Sequence, residues 1–285
     1  MSEGPLVMGI VNASPESFSD GAAVGGLDDQ VALALRLRDE GASIVDVGGE
    51  SGVSDRAPVD AAEEIRRVVP LIERLAREGV AVSVDTWKPE VARAALAAGA
   101  TMVNDVSGLA DVALADACAE SGAALVIAHT AAAPKEKAFP GYDDVGEEVV
   151  AFLRERIDLA AARGVERIVL DPGPDLAKTP AETVAVLRAL PRVVALGREV
   201  LLAVSRKDFV GALTGRAPAE RLAGTLAAIG AGVEAGASIL RVHDVAATAD
   251  YLAVRAALRG DTEVAAELRL DPGLRRAVWH PLPRT

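Results

Sequence analysis

Eight short apolar runs, each followed by a longer stretch at helical spacing, constrain this 285-residue chain more than any other feature. The runs span residues 6–12, 43–49, 81–86, 102–107, 124–130, 167–173, 200–207 and 238–245 and are rich in Val, Ile and Leu. They are apolar on both alternating faces, as parallel strands covered on both sides must be. Stretches 60–79, 88–99, 143–164 and 219–236 between them are rich in Ala, Leu, Glu and Arg, the composition and spacing of helices. Six helical stretches close on glycine (Gly41, Gly79, Gly99, Gly122, Gly164 and Gly236), where a left-handed C-cap asks for it. Eight strand–helix units in about 250 residues predict an α/β chain folded as one (β/α)8 TIM barrel. An open doubly wound sheet shares the alternation, but the count of eight and the lack of a G-x-G-x-x-G after the first run favour the barrel. Residues 1–262 are read as this barrel. Residues 263–285, with LDPGLRRAVWHPLPRT, fall outside the period and are read as a C-terminal tail.

Charge and composition exclude several roles. The net charge is −12, the pI about 4.8, and basic residues do not cluster beyond a dipeptide or so. Nucleic acid would be repelled by that field, whereas a small anion held by a few local cations is compatible with it. Hydrophobic residues make up 51% of the chain, too many for a disordered one. No run approaches the roughly 18 apolar residues of a spanning helix, so no membrane role is expected. The start, MSEGPLVMGIVN, has no basic leader and no small-residue cleavage site, so no secretory signal is expected. The lone Cys118 cannot form an intramolecular disulfide, and this suits a cytoplasmic protein.

In such a barrel the chemistry sits at the C-terminal ends of the strands. Those ends carry Asn12, Asp46, Asp85, Asn104, His129, Asp171, Ser205 with Lys207, and Arg241 with His243. Asp or Asn at one strand end is often only a helix cap; hydrogen-bonding or ionisable groups at all eight ends point to a site. Asp85, Asn104 and Asp171 can accept the paired N–H groups of an amino-substituted heterocycle, and Lys207 can donate to a ring carbonyl. Arg241 and His243, two apart on one strand, point the same way and can hold an anion such as a phosphate. Lysine is scarce, five against 25 arginines, yet Lys178 and Lys207 both fall at or just beyond strand ends. The histidines and the cysteine lack metal-ligand spacing, which argues against zinc; Mg²⁺ on a few oxygens and substrate phosphates is compatible. His129 is read as a supporting residue, and Trp279 and His280 as surface packing.

Seven segments together resemble the dihydropteroate synthase family of pterin-binding barrels. They are MGIVNASPESFSDG from Met8, VDVGGES from Val45, SVDT from Ser83, VNDVSG from Val103, DPG from Asp171, SRKDFVG from Ser205 and RVHDV from Arg241. The resemblance runs in order from Met8 to about residue 259. It implies a transferase of folate biosynthesis that joins p-aminobenzoate to 6-hydroxymethyl-7,8-dihydropterin diphosphate, releasing pyrophosphate with Mg²⁺. By the same resemblance Asp85, Asn104, Asp171 and Lys207 hold the pterin ring and Arg241 stacks on it. Asn12, Arg241 and His243 take the diphosphate, Asn12 lies at the Mg²⁺, Asp46 joins the polar floor, and Ser205 falls on the aminobenzoate side. The family also implies a homodimer formed through the last helices.

Departures from the family concentrate on one side. After GGES the family has Thr-Arg-Pro-Gly, and this chain has Gly52, Val53, Ser54 and Asp55, with Arg56 nearby. After DPG the family's Gly-Phe-Gly-Lys becomes Pro174, Asp175, Leu176, Ala177 and Lys178, which replaces a phenyl face by Leu176 and adds the acidic Asp175 near an anionic cosubstrate. HTAAAPKEKAFPGY follows the fifth run in place of a Met-containing segment, and the first loop has Ser14 for Thr and Glu16 for Asp. Two readings follow: a working synthase, or a divergent paralog with an intact pterin site and a remodelled acceptor side. Methyl transfer from a methyl-pterin, on the same barrel, would leave Asn12, Arg241 and His243 without a purpose.

Overall fold

The alternation in the sequence closes on itself. In the computed structural model, which describes residues 4–13, 25–50, 58–136 and 138–274, eight parallel strands form a closed barrel in chain order. They are β1 (Leu6–Asn12), β2 (Ile44–Gly48), β3 (Val82–Asp85), β4 (Met102–Asp105), β5 (Ala124–Ala128), β6 (Ile168–Asp171), β7 (Glu199–Leu202) and β8 (Ile239–Val242). Helices α1 (Leu27–Asp39), α2 (Ala61–Arg77), α3 (Pro89–Ala97), α4 (Ala113–Ser121) and α5 (Val145–Ala162) follow the first five strands. Two helices follow β6, α6 (Pro180–Arg188) and α7 (Leu190–Val194), and two follow β7, α8 (Asp208–Thr214) and α9 (Leu222–Glu234). The chain then passes through β8 to α10 (Val245–Arg259).

Local chemistry starts and stops these elements. Asp60 and Asp144 cap α2 and α5 by accepting the N–H groups of Glu63 and Glu147, and Thr179 and Glu182 form a reciprocal capping box on α6. Each of the six glycines expected to close a helix has a positive φ. One expectation needs correction. The seventh apolar run was read through residue 207, but β7 ends at Leu202. Ala203 and Val204 are buried without continuing the strand, so an apolar run there means a buried turn. That turn carries Ser205 and Lys207 to the start of α8.

Two apolar layers sandwich the strands. One set of side chains meets the helices, including Val45, Val47, Val82, Val84, Val103, Leu125, Leu170 and Leu240. The alternate set fills the barrel interior with Met8, Ile44, Met102, Ala124, Val126, Val169, Leu201, Ala203 and Ile239. The barrel is therefore a packed plug below its mouth, as this architecture requires. Beyond Arg259 the described chain has one short 3-10 turn at 272–274 and is exposed. No helix among the described residues is long and apolar enough to cross a membrane.

Candidate active site

Two residues further along four of the inward-facing rows, the interior turns polar. Asp46 follows Ile44, Asn104 follows Met102, Asp171 follows Val169, and Arg241 follows Ile239. The two-residue period aims each pair the same way, so a strand that is apolar inside at its base delivers a polar group at its mouth. Register sets their neighbours: Asp46 lies beside Ser83, and Asp85 lies between Gly48 and Asn104.

Arg241 is the centre of this layer. Its Nε donates to Asp46 Oδ2 at 2.6 Å and its Nη2 to Asp85 Oδ2 at 2.7 Å, while Asn104 Nδ2 donates to the same Asp46 oxygen at 3.0 Å. Asp46 and Asn104 are buried, and the side chains of Arg241 and Asp85 are 20% and 22% exposed. Burial pushes the Asp85 carboxyl up to about 7; Arg241 opposes that shift and the Asp46 charge reinforces it. Asp46 Oδ1 and Ser83 Oγ, both buried, have no hydrogen-bond partner among the described residues.

On the opposite side, Asp171 Oδ1 accepts the Gly173 N–H at 2.8 Å, and burial raises its carboxyl above the ordinary range. Lys207 Nζ donates to the Pro174 carbonyl at 3.0 Å. Burial lowers this ammonium, with Asp171 opposing. The mouth thus faces acceptors on one strand with a cation from the next loop.

His243 stands one residue past β8, open to solvent at the rim. Its N–H donates to Ser205 Oγ at 3.2 Å, and that hydroxyl lies 3.0 Å from His243 Nδ1. Ser205 Oγ thus accepts from the His243 backbone and pairs with the near ring nitrogen, which fixes the orientation of the imidazole. Partial desolvation of the ring's inner edge, then the Arg241 and Arg206 charges, lower His243 to about 4. His243 is therefore a neutral donor rather than a cation. Arg241, for its part, already holds two carboxylates. The sequence placed both on one anion; the structure brings them to one mouth with different commitments. Asn12 ends β1 opposite Gly48 on the same rim.

The segment after β6 is organised differently from the sequence expectation. Asp175 was placed near an anionic cosubstrate. Its Oδ1 instead accepts the Thr183 hydroxyl at 2.9 Å and its Oδ2 accepts the Phe209 N–H at 3.2 Å, so it caps α8 and braces α6. Lys178 Nζ is buried against the carbonyls of Gly173 (2.9 Å), Leu176 (3.0 Å) and His129 (3.2 Å) and against His129 Nδ1 (2.8 Å). Burial lowers Lys178 to about 7, and burial followed by the Lys178 charge lowers His129 to about 3. Gly173 makes this packing possible: at φ +66°, a Cβ there would sit 2.0 Å from the His129 carbonyl oxygen. His129 is thus a supporting residue in contact with Lys178.

Ser14, Glu16, Gly52, Val53, Ser54, Asp55, Arg56, Trp279 and His280 lie outside the described residues. Sequence reasoning also missed a buried ionic cluster of Glu50, Glu64, Lys88 and Lys135 among the connections that follow β2, β3 and β5. These charges sit on loops and helix starts far apart in sequence, and no local pattern distinguishes the buried Glu64 from its solvated neighbour Glu63.

The pterin binding enzyme family matches residues 8–243, which span all eight strands. The chain belongs to this family. Dihydropteroate synthase of Mycobacterium leprae is 43% identical over 271 residues, covering 89% of this chain and 94% of the relative. The structure of Xanthomonas albilineans dihydropteroate synthase with 4-aminobenzoic acid superposes with a TM-score of 0.84 at 46% identity, covering 90% of this chain and 94% of that one. A Mycobacterium bovis relative named inactive dihydropteroate synthase 2 is 40% identical over 267 residues, covering 90% of this chain and 83% of its own. This chain is thus similar over most of its length to relatives of both kinds.

Proposed function

We propose that the protein joins p-aminobenzoate to 6-hydroxymethyl-7,8-dihydropterin diphosphate and releases pyrophosphate. The observation that carries this reading is the strand-fixed polar layer of Asp46, Asp85, Asn104, Asp171 and Arg241, with Lys207 beside it. Asp85, Asn104 and Asp171 accept from and donate to the edge of the pterin, Lys207 donates to its carbonyl, and Arg241 offers its planar face. Asp46 holds Arg241 in place for this. In the reaction the methylene C–O bond breaks and its electron pair leaves with the diphosphate. The arylamine nitrogen then forms the new C–N bond and loses a proton to water. The pterin ring spreads the positive charge that develops at the methylene, and the Asp46 and Asp85 carboxylates favour that charge electrostatically.

The departing anion needs neutralisation at the rim, and we assign this to Asn12, Arg241 and the His243 ring, carried by the neighbouring strands β1 and β8. Among the described residues no three carboxylate, histidine or cysteine side chains group to hold a metal on their own. An Mg²⁺ bound mainly by phosphates needs only one or two protein oxygens, and the Asn12 amide oxygen fits that demand. Asn12 would hold such an ion, which supplies charge neutralisation on the diphosphate. Ser205 acts by orienting His243, next to the side on which aminobenzoate approaches. The protein is read as cytoplasmic, in keeping with its single buried Cys118. A homodimer through α9 and α10 would cover the exposed Val254 and Leu258.

A second reading is a pterin diphosphate binder with a different acceptor or no turnover; the altered segment around Leu176 is what favours it. One experiment separates the two. Pyrophosphate release is followed with pterin diphosphate and Mg²⁺, with and without p-aminobenzoate. Release in proportion to aminobenzoate supports the synthase. Pterin diphosphate binding by calorimetry without such release supports the second reading, and no binding overturns both.

A further inference from the structure

The loop between β2 and α2 leaves the barrel at Glu50 and returns at Val59, and these two residues are joined by side chains. Glu50 Oε1 accepts the Val59 N–H at 3.2 Å. Lys88, from the β3–α3 connection, reaches across with all three ammonium protons used: 2.6 Å to Glu50 Oε2, 2.6 Å to the Val59 carbonyl and 2.5 Å to Glu64 Oε2 on α2. Both polar groups of the Val59 backbone are thus held by ionised side chains from elsewhere, in place of backbone partners. Glu50 and Glu64 are 2% and 1% exposed and Lys88 is 15% exposed. Lys135, on the β5–α5 connection and 8% exposed, lies 3.4 Å from Glu50 Oε1.

Among the described residues these groups share no hydrogen bond or ion pair with Arg241, Asp46, Asp85 or Asn104, and Glu64 reaches Asp85 only through its charge; they lie on the β2–α2, β3–α3 and β5–α5 connections and on the first turn of α2. We propose that Lys88 is a positioning residue for the acceptor side: it fixes both stems of the β2–α2 loop, and Lys135 couples that clamp to the β5–α5 loop. A network of buried, oppositely charged groups stays put only while each charge keeps its partner. The clamp therefore acts on capture of the second substrate and leaves the hydrogen bonds of the strand-borne floor in place. This inference rests on the synthase reading for its kinetic consequence, but not for the clamp itself.

The test uses the full-length protein and two readouts. In hydrogen exchange, the wild-type Val59 amide is protected; in Lys88→Gln it exchanges at least tenfold faster. In kinetics, Lys88→Gln raises KM for p-aminobenzoate about tenfold, with kcat and pterin diphosphate affinity within twofold, and Lys88→Arg recovers part of the loss. Because Lys88→Gln leaves Glu50 and Glu64 short of a cation and can impair folding, Lys135→Gln is the second variant. It leaves the Lys88 contacts in place and removes the 3.4 Å ion pair to Glu50, and its expected effects are about threefold in both readouts. Unchanged Val59 exchange in both variants overturns the clamp, and equal rises in KM for both substrates overturn its acceptor-side role. If the wild type shows no aminobenzoate-dependent release, the synthase reading fails, and the Val59 exchange data alone decide the clamp.

Discussion

The floor of the mouth and its wall are built on different principles. Asp46, Asp85, Asn104, Asp171 and Arg241 all stand on strands, so barrel register fixes their spacing and a one-residue slip would turn each of them away from the mouth. Leu176, Lys178, Lys135 and the stems at Glu50 and Val59 stand on loops, held by side-chain contacts such as the four around Lys178 Nζ. The motifs that resemble the family fall on the floor, and the segments that depart from it fall on the wall. Strand-borne groups cannot shift without disturbing the closed sheet, whereas loop-borne groups can be exchanged for others that make different contacts. Divergence in this chain has followed the mechanical division.

The largest effect is expected at the centre of the floor. Arg241→Met leaves two carboxylates facing each other in a buried layer, and loss of one partner from such a set costs about 3–5 kcal/mol. Urea unfolding at pH 7.5 measures it. The deficit should shrink as pH falls, because Asp85 already titrates near 7 in the wild type and protonation removes the repulsion. A deficit that grows toward acid would mean that the carboxylates are not what Arg241 neutralises.

Next in size is Lys207→Met. Losing a hydrogen bond from a charged donor costs about 1.5–3 kcal/mol, so the Kd for pterin diphosphate in calorimetry should rise about 10- to 100-fold. The KM for p-aminobenzoate should move far less; a reversal of that order would move Lys207 from the floor to the wall.

The strands and the residues at their ends were legible because parallel strands covered on both faces leave an unmistakable apolar run, and the inward row declares itself two residues on. Beyond β7 the apolar pattern misleads, because Ala203 and Val204 are apolar in a buried turn and not in a continuing strand. Asp175 misleads too: a carboxylate in a divergent segment reads as a change of ligand chemistry, but its oxygens are spent on Phe209 N–H and the Thr183 hydroxyl. The clamp was invisible for another reason. Lys88 lies 38 residues from Glu50 and 24 from Glu64, and only closure of the barrel brings them together.

A third prediction concerns the brace behind the wall. Buried His129 is held neutral, down to about 3, whereas an unfolded chain protonates it near 6.5. Below about 6.5 the unfolded state binds a proton that the folded state refuses, so stability falls with pH by up to about 1.4 kcal/mol per unit from this residue. The urea midpoint of the wild type should drop between pH 7 and pH 5 more than that of His129→Asn. Parallel curves would remove His129 from the account.

The smallest effect tests the wall directly. Leu176→Phe restores an aromatic face in the segment that lost one. An aromatic contact is worth about 0.5–1.5 kcal/mol, so KM for p-aminobenzoate should fall roughly 2- to 10-fold with pterin diphosphate affinity unchanged. A rise in KM would show that the wall has been reshaped for another acceptor.

The two-residue step from Ile44 to Asp46, and likewise from Met102 to Asn104 and from Ile239 to Arg241, sets a dielectric boundary across the barrel. At about 3.3 Å per residue, the ionised layer lies less than 7 Å above a dry hydrocarbon plug. Such a plug carries no mobile dipoles, so field lines from Asp46, Asp85 and Arg241 are crowded upward into whatever rests on the mouth. The hydrophobic half of the barrel thus works as an electrostatic reflector. Opening a water-sized hole at Met8 or Met102 would dim the charges above it without touching any residue that meets a ligand.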